Sequence, residues 1–448
     1  MKRNYFGTDG VRGAYGSPQM NEALAWRLGA GAARLAKSRA DFSATRVFIG
    51  RDTRASGVAL EDALAAGLIS EGLQPVSLGV VPTPAVSLLT RRDKAAFGVV
   101  ITASHNPAGD NGIKFFSANG IKLTDEDESH LEALMPEQAG AMLATRPLQV
   151  DGLKPYIDAA VALLPAGSLR GWKIVLDAAN GAAWRSSRTV LEKLGASLAL
   201  IGVEPDGTNI NAGVGSQHPE QMGARVKATG ARLGIAHDGD ADRCILCDEH
   251  GDVLDGDEML TILALHALQQ GKLAAHTLVV TVQSNLGVDA AIAAAGGRVV
   301  RTAVGDRYVI ERMLADGATL GGESSGHVIC AEVSPTGDGL VAALKVIEVM
   351  LATNRPLTEL RRGLKKFPQL SAATTVKEKK PLESLPTLSA TIAAIEAELG
   401  ARGRVLVRYS GTEPKLRLLV EGETDAQVRD CLDRLRAAVR ADLDVIKD

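Results

Sequence analysis

The stretch "RVFIGRDTRASG" (Arg46–Gly57), which runs on through a helical pattern to "EGLQPVSLG" (Glu71–Gly79), decides the fold. An apolar strand is followed by a polar turn, a helix, a glycine and a second strand. The same plan recurs twice. "WKIVLDAANGAA" (Trp172–Ala183) leads through "RTVLEKLG" (Arg188–Gly195) to "ASLALIG" (Ala196–Gly202). "HTLVVTVQSNLG" (His276–Gly287) leads through "VDAAIAAAGG" (Val288–Gly297) to "RVVRTAVG" (Arg298–Gly305). Each copy has the pattern of a right-handed βαβ crossover. Their spacing of roughly a hundred residues is far above the 20–50 of solenoid repeats. Three related α/β domains in series are therefore expected, with ligands outside the carboxyl ends of their strands.

The C-terminal stretch departs from this plan. "LSAATTV" (Leu370–Val376) reads as a strand, and "LESLPTLSATIAAIEAELG" contains a helix with Gly400 at its C′ position. "RVLVRYSGTEPKLRLLVEG" is a strand, a polar loop and a strand. In the last helix Thr424 is the expected cap, and Val428, Leu432, Leu435 and Val439 line one face. The expected divisions are residues 1–150, 151–254 and 255–368 for three α/β domains and 369–448 for an α+β domain. A hinge is expected near residues 365–372.

Composition sets the class. A chain of 448 residues exceeds one ordinary core. Apolar residues at 46% and charged residues at 23% fit a soluble globular protein. Aromatics at 3% and a net charge of −3 argue against single-strand stacking platforms and basic nucleic-acid or membrane surfaces. No secretory signal or bilayer-length apolar run is visible, so a cytoplasmic location is expected. Cys244, Cys247, Cys330 and Cys431 read as buried free thiols. The C-x-x-C at 244–247 lies on a strand, and no second pair completes a zinc site.

The strongest chemical signal is "LGIAHDGDADRCILCDEHG" (Leu233–Gly251). Asp238, Asp240 and Asp242 alternate after an apolar strand, so in extended chain they point one way. Three carboxylates repel unless a hard cation sits among them, and Gly239 lets the backbone curl around it. Magnesium so held keeps positions open for phosphate oxygens. An EF-hand is a poor fit: its sixth position requires glycine, which here is Arg243, and the flanks are strands. An aspartate-nucleophile phosphatase would want threonine or valine where Asp242 stands, and would leave Ser104 without a role.

"GVVITASHNPAGDNGIKFF" (Gly98–Phe116) places Ser104 in a tight loop between two strands. A serine hydroxyl needs a base or a metal to become a nucleophile. Lys114 lies just beyond, as proton carrier or phosphate counter-charge, while His105 is expected to point away from the hydroxyl. "RYSGTEPKLR" (Arg408–Arg417) offers Ser410, Gly411 and Thr412 with Arg408 and Arg417, a pattern suited to a phosphate dianion. "LGGESSGHVIC" (Leu320–Cys330) carries Glu323 and Ser325 for sugar hydroxyls, and His327. "YFGTDGVRG" presents Arg12 as a phosphate or acid–base group; "IGRDTRASG" (Arg51, Arg54) and "VGDRYV" (Asp306, Arg307) share its character. No P-loop or dinucleotide fingerprint is present.

"TASHNP", "DGDADR", "GESSGH" and "SGTEP", in this order, resemble the motif loops of the α-D-phosphohexomutases. "YFGTDGVRG" and "GDRYV" look most like the bacterial phosphoglucosamine mutases within that superfamily. The resemblance spans essentially the whole chain and implies four domains around a central cleft, one loop from each. It implies an isomerase-class phosphotransferase that interconverts glucosamine 6-phosphate and glucosamine 1-phosphate for UDP-N-acetylglucosamine synthesis. The implied route uses phospho-Ser104 and glucosamine 1,6-bisphosphate, which is both intermediate and activator. One Mg2+ per chain would sit on Asp238, Asp240, Asp242 and the Ser104 phosphate. Glu323 and Ser325 would hold sugar hydroxyls. Arg408, Ser410, Gly411, Thr412 and Arg417 would hold the non-reacting phosphate, and Lys114, Arg12 and His327 would serve catalysis. The alternative is a phosphomannomutase or phosphoglucomutase, because Ser324 stands where the family varies. The expected partner is a small phosphosugar, with no nucleic acid or membrane; a homodimer is the working expectation for assembly.

Overall fold

The computed structural model describes residues 3–7, 9–40, 42–142, 146–410 and 414–447. They form two compact units: Met1–Gln283 with Ala295–Gly363, and Ser284–Ala294 with Leu364–Asp448.

The first unit carries three sheets. Strands β1 (Val11–Ala14), β2 (Arg46–Arg51), β3 (Gln74–Val80), β4 (Phe97–Ile101), β5 (Asp110–Ser117) and β6 (Leu148–Gln149) lie in the order β1-β5-β4-β2-β3-β6. Strands β7 (Lys173–Asp177), β8 (Ser197–Ile201), β9 (Leu233–His237), β10 (Cys244–Cys247) and β11 (Val253–Leu254) lie in the order β11-β10-β9-β7-β8. Strands β12 (Thr277–Thr281), β13 (Arg298–Thr302), β14 (Leu320–Gly322) and β15 (Val328–Cys330) lie in the order β13-β12-β14-β15.

One plan underlies all three. A central strand pairs in parallel with the next strand on one side and the one after on the other. A fourth strand then returns antiparallel beside the third. The connection from third to fourth strand is short and lies at the carboxyl end of a parallel strand. In the first sheet it contains Ser104, in the second Asp238–Asp242, and in the third Glu323–His327. Buried Val47, Phe48 and Ile49 on β2, and Val99, Val100 and Ile101 on β4, show strands covered on both faces, as parallel sheets require. Leu24, Leu28, Leu60, Leu64 and Leu68, from the helices Glu22–Ser38 and Gly57–Ser70, fill the first core with Ile49, Ile101 and Phe115.

The second unit holds strands β16 (Gln369–Val376), β17 (Arg404–Tyr409), β18 (Lys415–Glu421) and β19 (Val445–Lys447), antiparallel in the order β17-β18-β16-β19. Its core joins Leu388 and Ile395 to Leu418, Val428, Leu432, Leu435 and Val439. Thr424 caps the last helix by accepting a hydrogen bond from Gln427 N. The four cysteines are free; Cys330 is half-buried rather than buried. No helix among the described residues is long and apolar enough to cross a membrane.

Candidate active site

Ser104 sits in the β4–β5 loop, fully buried, at φ +52°. That left-handed backbone costs a residue with a Cβ about 1–2 kcal/mol, so the surroundings must impose it. Thr102 Oγ1 accepts from Ser104 N at 2.9 Å and donates to Asp52 Oδ2 at 2.7 Å. Arg54 corrects its sequence reading as a phosphate group. Its buried guanidinium bonds Asp52 at 2.9 Å and donates to the carbonyls of Ser104 (3.0 Å), Asn106 (2.7 Å), Asp110 (2.9 Å) and Pro107. Asn211 Nδ2 grips the carbonyls of Ser104 and Asn106 at 2.9 and 3.0 Å. Arg51 likewise is engaged elsewhere, by Glu61 at 3.0 Å.

The acidic loop joins β9 to β10. Its carboxylates converge, with one ligand oxygen from each of Asp238, Asp240 and Asp242 lying within 4.8 Å of the others. The reason differs from the expected extended alternation. Ala241 N bonds Asp238 O at 3.1 Å, and the left-handed residue is Ala241 (φ 60°), so a turn gathers the side chains. Gly239 serves close approach instead of curvature: a Cβ there would lie 2.5 Å from the carbonyl oxygen of Ser104. Through that contact Ser104 Oγ donates to Asp238 Oδ2 at 2.5 Å. His105 does not point away, as its Nδ1 lies 3.2 Å from Ser104 Oγ.

Asp240 Oδ1 and Asp242 Oδ1 are buried with no hydrogen-bond partner. Buried carboxylate oxygens left so are costly, and the hard oxygen donor set fits a divalent cation. The field supports this. Burial and the neighbouring Asp240 and Asp242 push the Asp238 carboxyl well above the ordinary range. Burial would do the same to Asp242, but Lys114 and His327 hold it well below that range. Lys114, 1% exposed, lies 3.1 Å from Asp240, 3.6 Å from Asp242 and 2.9 Å from Asp9. Those carboxylates outweigh burial and keep its ammonium charged. His105 is pushed down to about 4 by burial and by Arg243 and Arg12.

In the third loop Glu323 Oε1 accepts from Gly305 N at 3.0 Å, and Ser325 Oγ lies 3.4 Å from Glu323 Oε2. His327 is buried, with Nδ1 3.7 Å from Asp242 and Nε2 3.3 Å from Asp306; Gly337 N also approaches Nε2, at 3.2 Å. Arg12 is held by Asp9. Asp306 and Arg307 are not ligand groups of the expected kind: Asp306 pairs with Lys122 at 2.5 Å, and Arg307 with Glu128 at 2.5 Å and with Asp125. Ser104, Lys114, Arg12, His327 and the three aspartates thus form one charged cluster in the first unit.

In the second unit, Arg408 and Arg417 face each other across the β17–β18 pair, which places their side chains on one sheet face. Ser410 N bonds Lys415 O at 2.8 Å, and Lys379 Nζ donates to Ser410 O at 2.7 Å. Gly411 and Thr412 lie outside the described residues.

Two members of the cluster were not singled out from sequence: Asp9 and Lys122. The signal was present as a repeated tetrapeptide, Asn111-Gly112-Ile113-Lys114 and Asn119-Gly120-Ile121-Lys122. Lys122 pairs across from Phe116 on the returning chain. Cross-strand partners and residues two apart share a sheet face, so the two lysines lie on the same side.

A buried serine hydroxyl bonded to a buried acidic triad, on repeated α/β domains, fits phosphoryl-transfer chemistry. Known proteins extend the match. Family models described as phosphoglucomutase/phosphomannomutase match in four segments: alpha/beta/alpha domain I at residues 3–141, domain II at 154–251, domain III at 255–367, and the C-terminal domain at 354–438. The chain belongs to the phosphoglucomutase/phosphomannomutase family. The phosphoglucosamine mutase of Moorella thermoacetica is 47% identical, over 96% of this chain and 98% of the relative. A putative phosphomannomutase from Thermus thermophilus superposes with TM-score 0.80 at 28% identity, over 97% and 98% of the two chains. The Aspergillus fumigatus N-acetylphosphoglucosamine mutase, solved in complex with GlcNAc-6P and magnesium, shares the fold at TM-score 0.67 and 17% identity, covering 98% and 96%.

Proposed function

We propose that the chain interconverts glucosamine 6-phosphate and glucosamine 1-phosphate through phospho-Ser104 and a glucosamine 1,6-bisphosphate intermediate. The observation that carries this reading is the buried Ser104 hydroxyl, 2.5 Å from Asp238 in a triad with unsatisfied oxygens. The amino-sugar assignment is supported by the full-length likeness to proteins named phosphoglucosamine mutase.

In the forward direction sugar O1 attacks the phosphorus of phospho-Ser104. The O1–P bond forms, the Oγ–P bond breaks, and the O1 proton leaves to a base. The bisphosphate turns end for end. Ser104 Oγ then attacks the 6-phosphate, the Oγ–P bond forms, the P–O6 bond breaks, and O6 takes a proton. Positioning and electrostatics dominate such chemistry. Asp238, Asp240, Asp242 and the Ser104 phosphate would hold one Mg2+, which when bound supplies charge stabilisation to the transferring group. Lys114 and His327 stand against the aspartates as proton carriers, and Arg12 as counter-charge. Glu323 and Ser325 grip sugar hydroxyls. Arg408, Ser410 and Arg417, with Gly411 and Thr412, hold whichever phosphate is not reacting.

The test is intact-mass analysis with fragmentation after exposure to a hexose 1,6-bisphosphate, together with turnover on glucosamine, glucose and mannose phosphates. The wild type is expected to gain one phosphoryl group at Ser104 and to prefer glucosamine phosphate. Ser104→Ala is expected to fold, gain none and lose turnover. Substantial mutase activity in Ser104→Ala overturns the reading, while preference for glucose or mannose phosphate moves the substrate to the alternative.

A further inference from the structure

We infer that Lys122 is a positioning residue for the phosphoryl-transfer site, acting through Asp9 and Asp306 on Lys114 and His327. The inference rests on the mutase reading above. Lys122 is 7% exposed, and its ammonium touches two carboxylates from different parts of the chain: Asp9 Oδ1 at 2.6 Å and Asp306 Oδ2 at 2.5 Å. The other oxygen of Asp9 lies 2.9 Å from Lys114 Nζ, and Asp306 Oδ2 lies 3.3 Å from His327 Nε2. Lys114 and His327 in turn stand 3.6 and 3.7 Å from Asp242. The contacts close a ring: Asp242, Lys114, Asp9, Lys122, Asp306, His327.

The alternation of sign along Lys114, Asp9, Lys122 and Asp306 is the physical logic of the ring. Two lysines side by side on one sheet face repel, and Asp9 between them removes that repulsion. Asp9 and Asp306 would repel each other, and Lys122 between them removes that. Without Lys122, half-buried Asp9 and buried Asp306 face each other with one fewer cation, and each must shift. Asp9 then draws Lys114, and Asp306 draws His327, away from their present distances to the acidic triad. Displacements near 1 Å at a reacting centre cost roughly a hundredfold in rate. Lys122 makes no ion pair with Asp238, Asp240 or Asp242; apart from the through-space pull of its charge on Asp242, it reaches the triad by way of the two carboxylates.

Arg307 provides the internal control. It joins the same helix, Asp306–Asp316, to Glu128 and Asp125 of the first domain, one residue from Asp306 but outside the ring. A merely structural role for Lys122, as a strap between domains, would be reproduced by loss of Arg307.

The experiment measures kcat, KM and thermal midpoint for wild type, Lys122→Met, Lys122→Arg, Asp306→Asn and Arg307→Met. It uses whichever hexose phosphate the wild type turns over, with Mg2+ and a 1,6-bisphosphate activator. Lys122→Met is expected to lose about a hundredfold in kcat with KM little changed, and Lys122→Arg to recover most of it. Arg307→Met should lower the thermal midpoint while keeping kcat. Should Lys122→Met not fold, Asp306→Asn breaks the ring from its other side and is expected to show the same kcat loss. Wild-type kcat in either ring variant, or an equal kcat loss in Arg307→Met, overturns the inference. Absence of turnover on glucosamine phosphate in the wild type counts against the substrate assignment instead.

Discussion

Arg54 holds a full positive charge at 1% exposure and directs it at backbone carbonyls instead of a ligand. Its planar fork satisfies one carboxylate and four carbonyls of the Ser104 loop at once. A lysine ammonium has fewer donors and no fork. Arg54→Lys is therefore expected to destabilise the protein by about 3 kcal/mol and to lower kcat at least tenfold, checked by denaturant midpoints and turnover. This was beyond sequence reading because carbonyl acceptors carry no residue identity. An arginine in a glycine-spaced loop looks alike whether it faces a phosphate or a main chain. Ser104 and the three aspartates were legible because their chemistry resides in the side chains.

At the level of strands and loops, the parallel pairs β2–β3, β7–β8 and β12–β13 could be read from the repeated strand–helix–strand plan. The strands β6, β11 and β19, at two or three residues, are too short to show any period. The packing of one loop on another was also hidden. The sequence reads Gly239 as the point where the backbone curls around a cation, yet its missing Cβ is what admits the Ser104 carbonyl. Gly239→Ala is expected to push the two loops apart and to depress kcat far more than KM, measured by steady-state kinetics on folded protein.

Asp338 gives a prediction for a helix terminus. It caps the helix Gly339–Thr353, accepting from Val341 N at 3.0 Å and from Tyr156 Oη–H at 2.8 Å. Burial pushes its carboxyl up from 3.8 to about 6. Below the lower value both folded and unfolded chains hold the proton, and there is no penalty. As pH rises through the window the unfolded chain releases it first, so stability falls, by at most about 3 kcal/mol once pH exceeds 6. Asp338→Asn keeps the accepting oxygen but cannot ionise. It should gain stability relative to wild type between pH 4 and 6 and hold that gain above, as read by thermal midpoints across the range.

At the scale of the whole molecule, the C-terminal unit places Arg408 and Arg417 side by side on one face. Arg417→Ala is expected to raise KM for phosphorylated sugars about tenfold or more, since charge-assisted bonds contribute about 1.5–3 kcal/mol; kinetics on glucosamine phosphate checks it. The α+β character of this module was legible from its strand–helix–strand–strand–helix order. Its full membership was not. The βαβ pattern assigns Leu286–Ala294 to the third sheet, whereas it packs within the second compact unit. Three-dimensional contact, not sequence adjacency, decides such membership. The chain crosses between the units at 283/284, 294/295 and 363/364.

The segment Ser284–Ala294 is bound to its unit closely. A Cβ on Gly287 would lie 2.3 Å from the Lys365 carbonyl oxygen, Asn285 bonds both N and O of Phe367, and Arg404 reaches the Ser284 carbonyl at 2.6 Å. Shortened proteins cut after Gly363 would keep this helix and lose the partners of Ser284, Asn285 and Gly287 at its start. Such a fragment should clump on expression, and a stand-alone tail beginning at Leu364 should be poorly behaved for the complementary reason. Splitting this protein into workable pieces calls for boundaries that keep these contacts together.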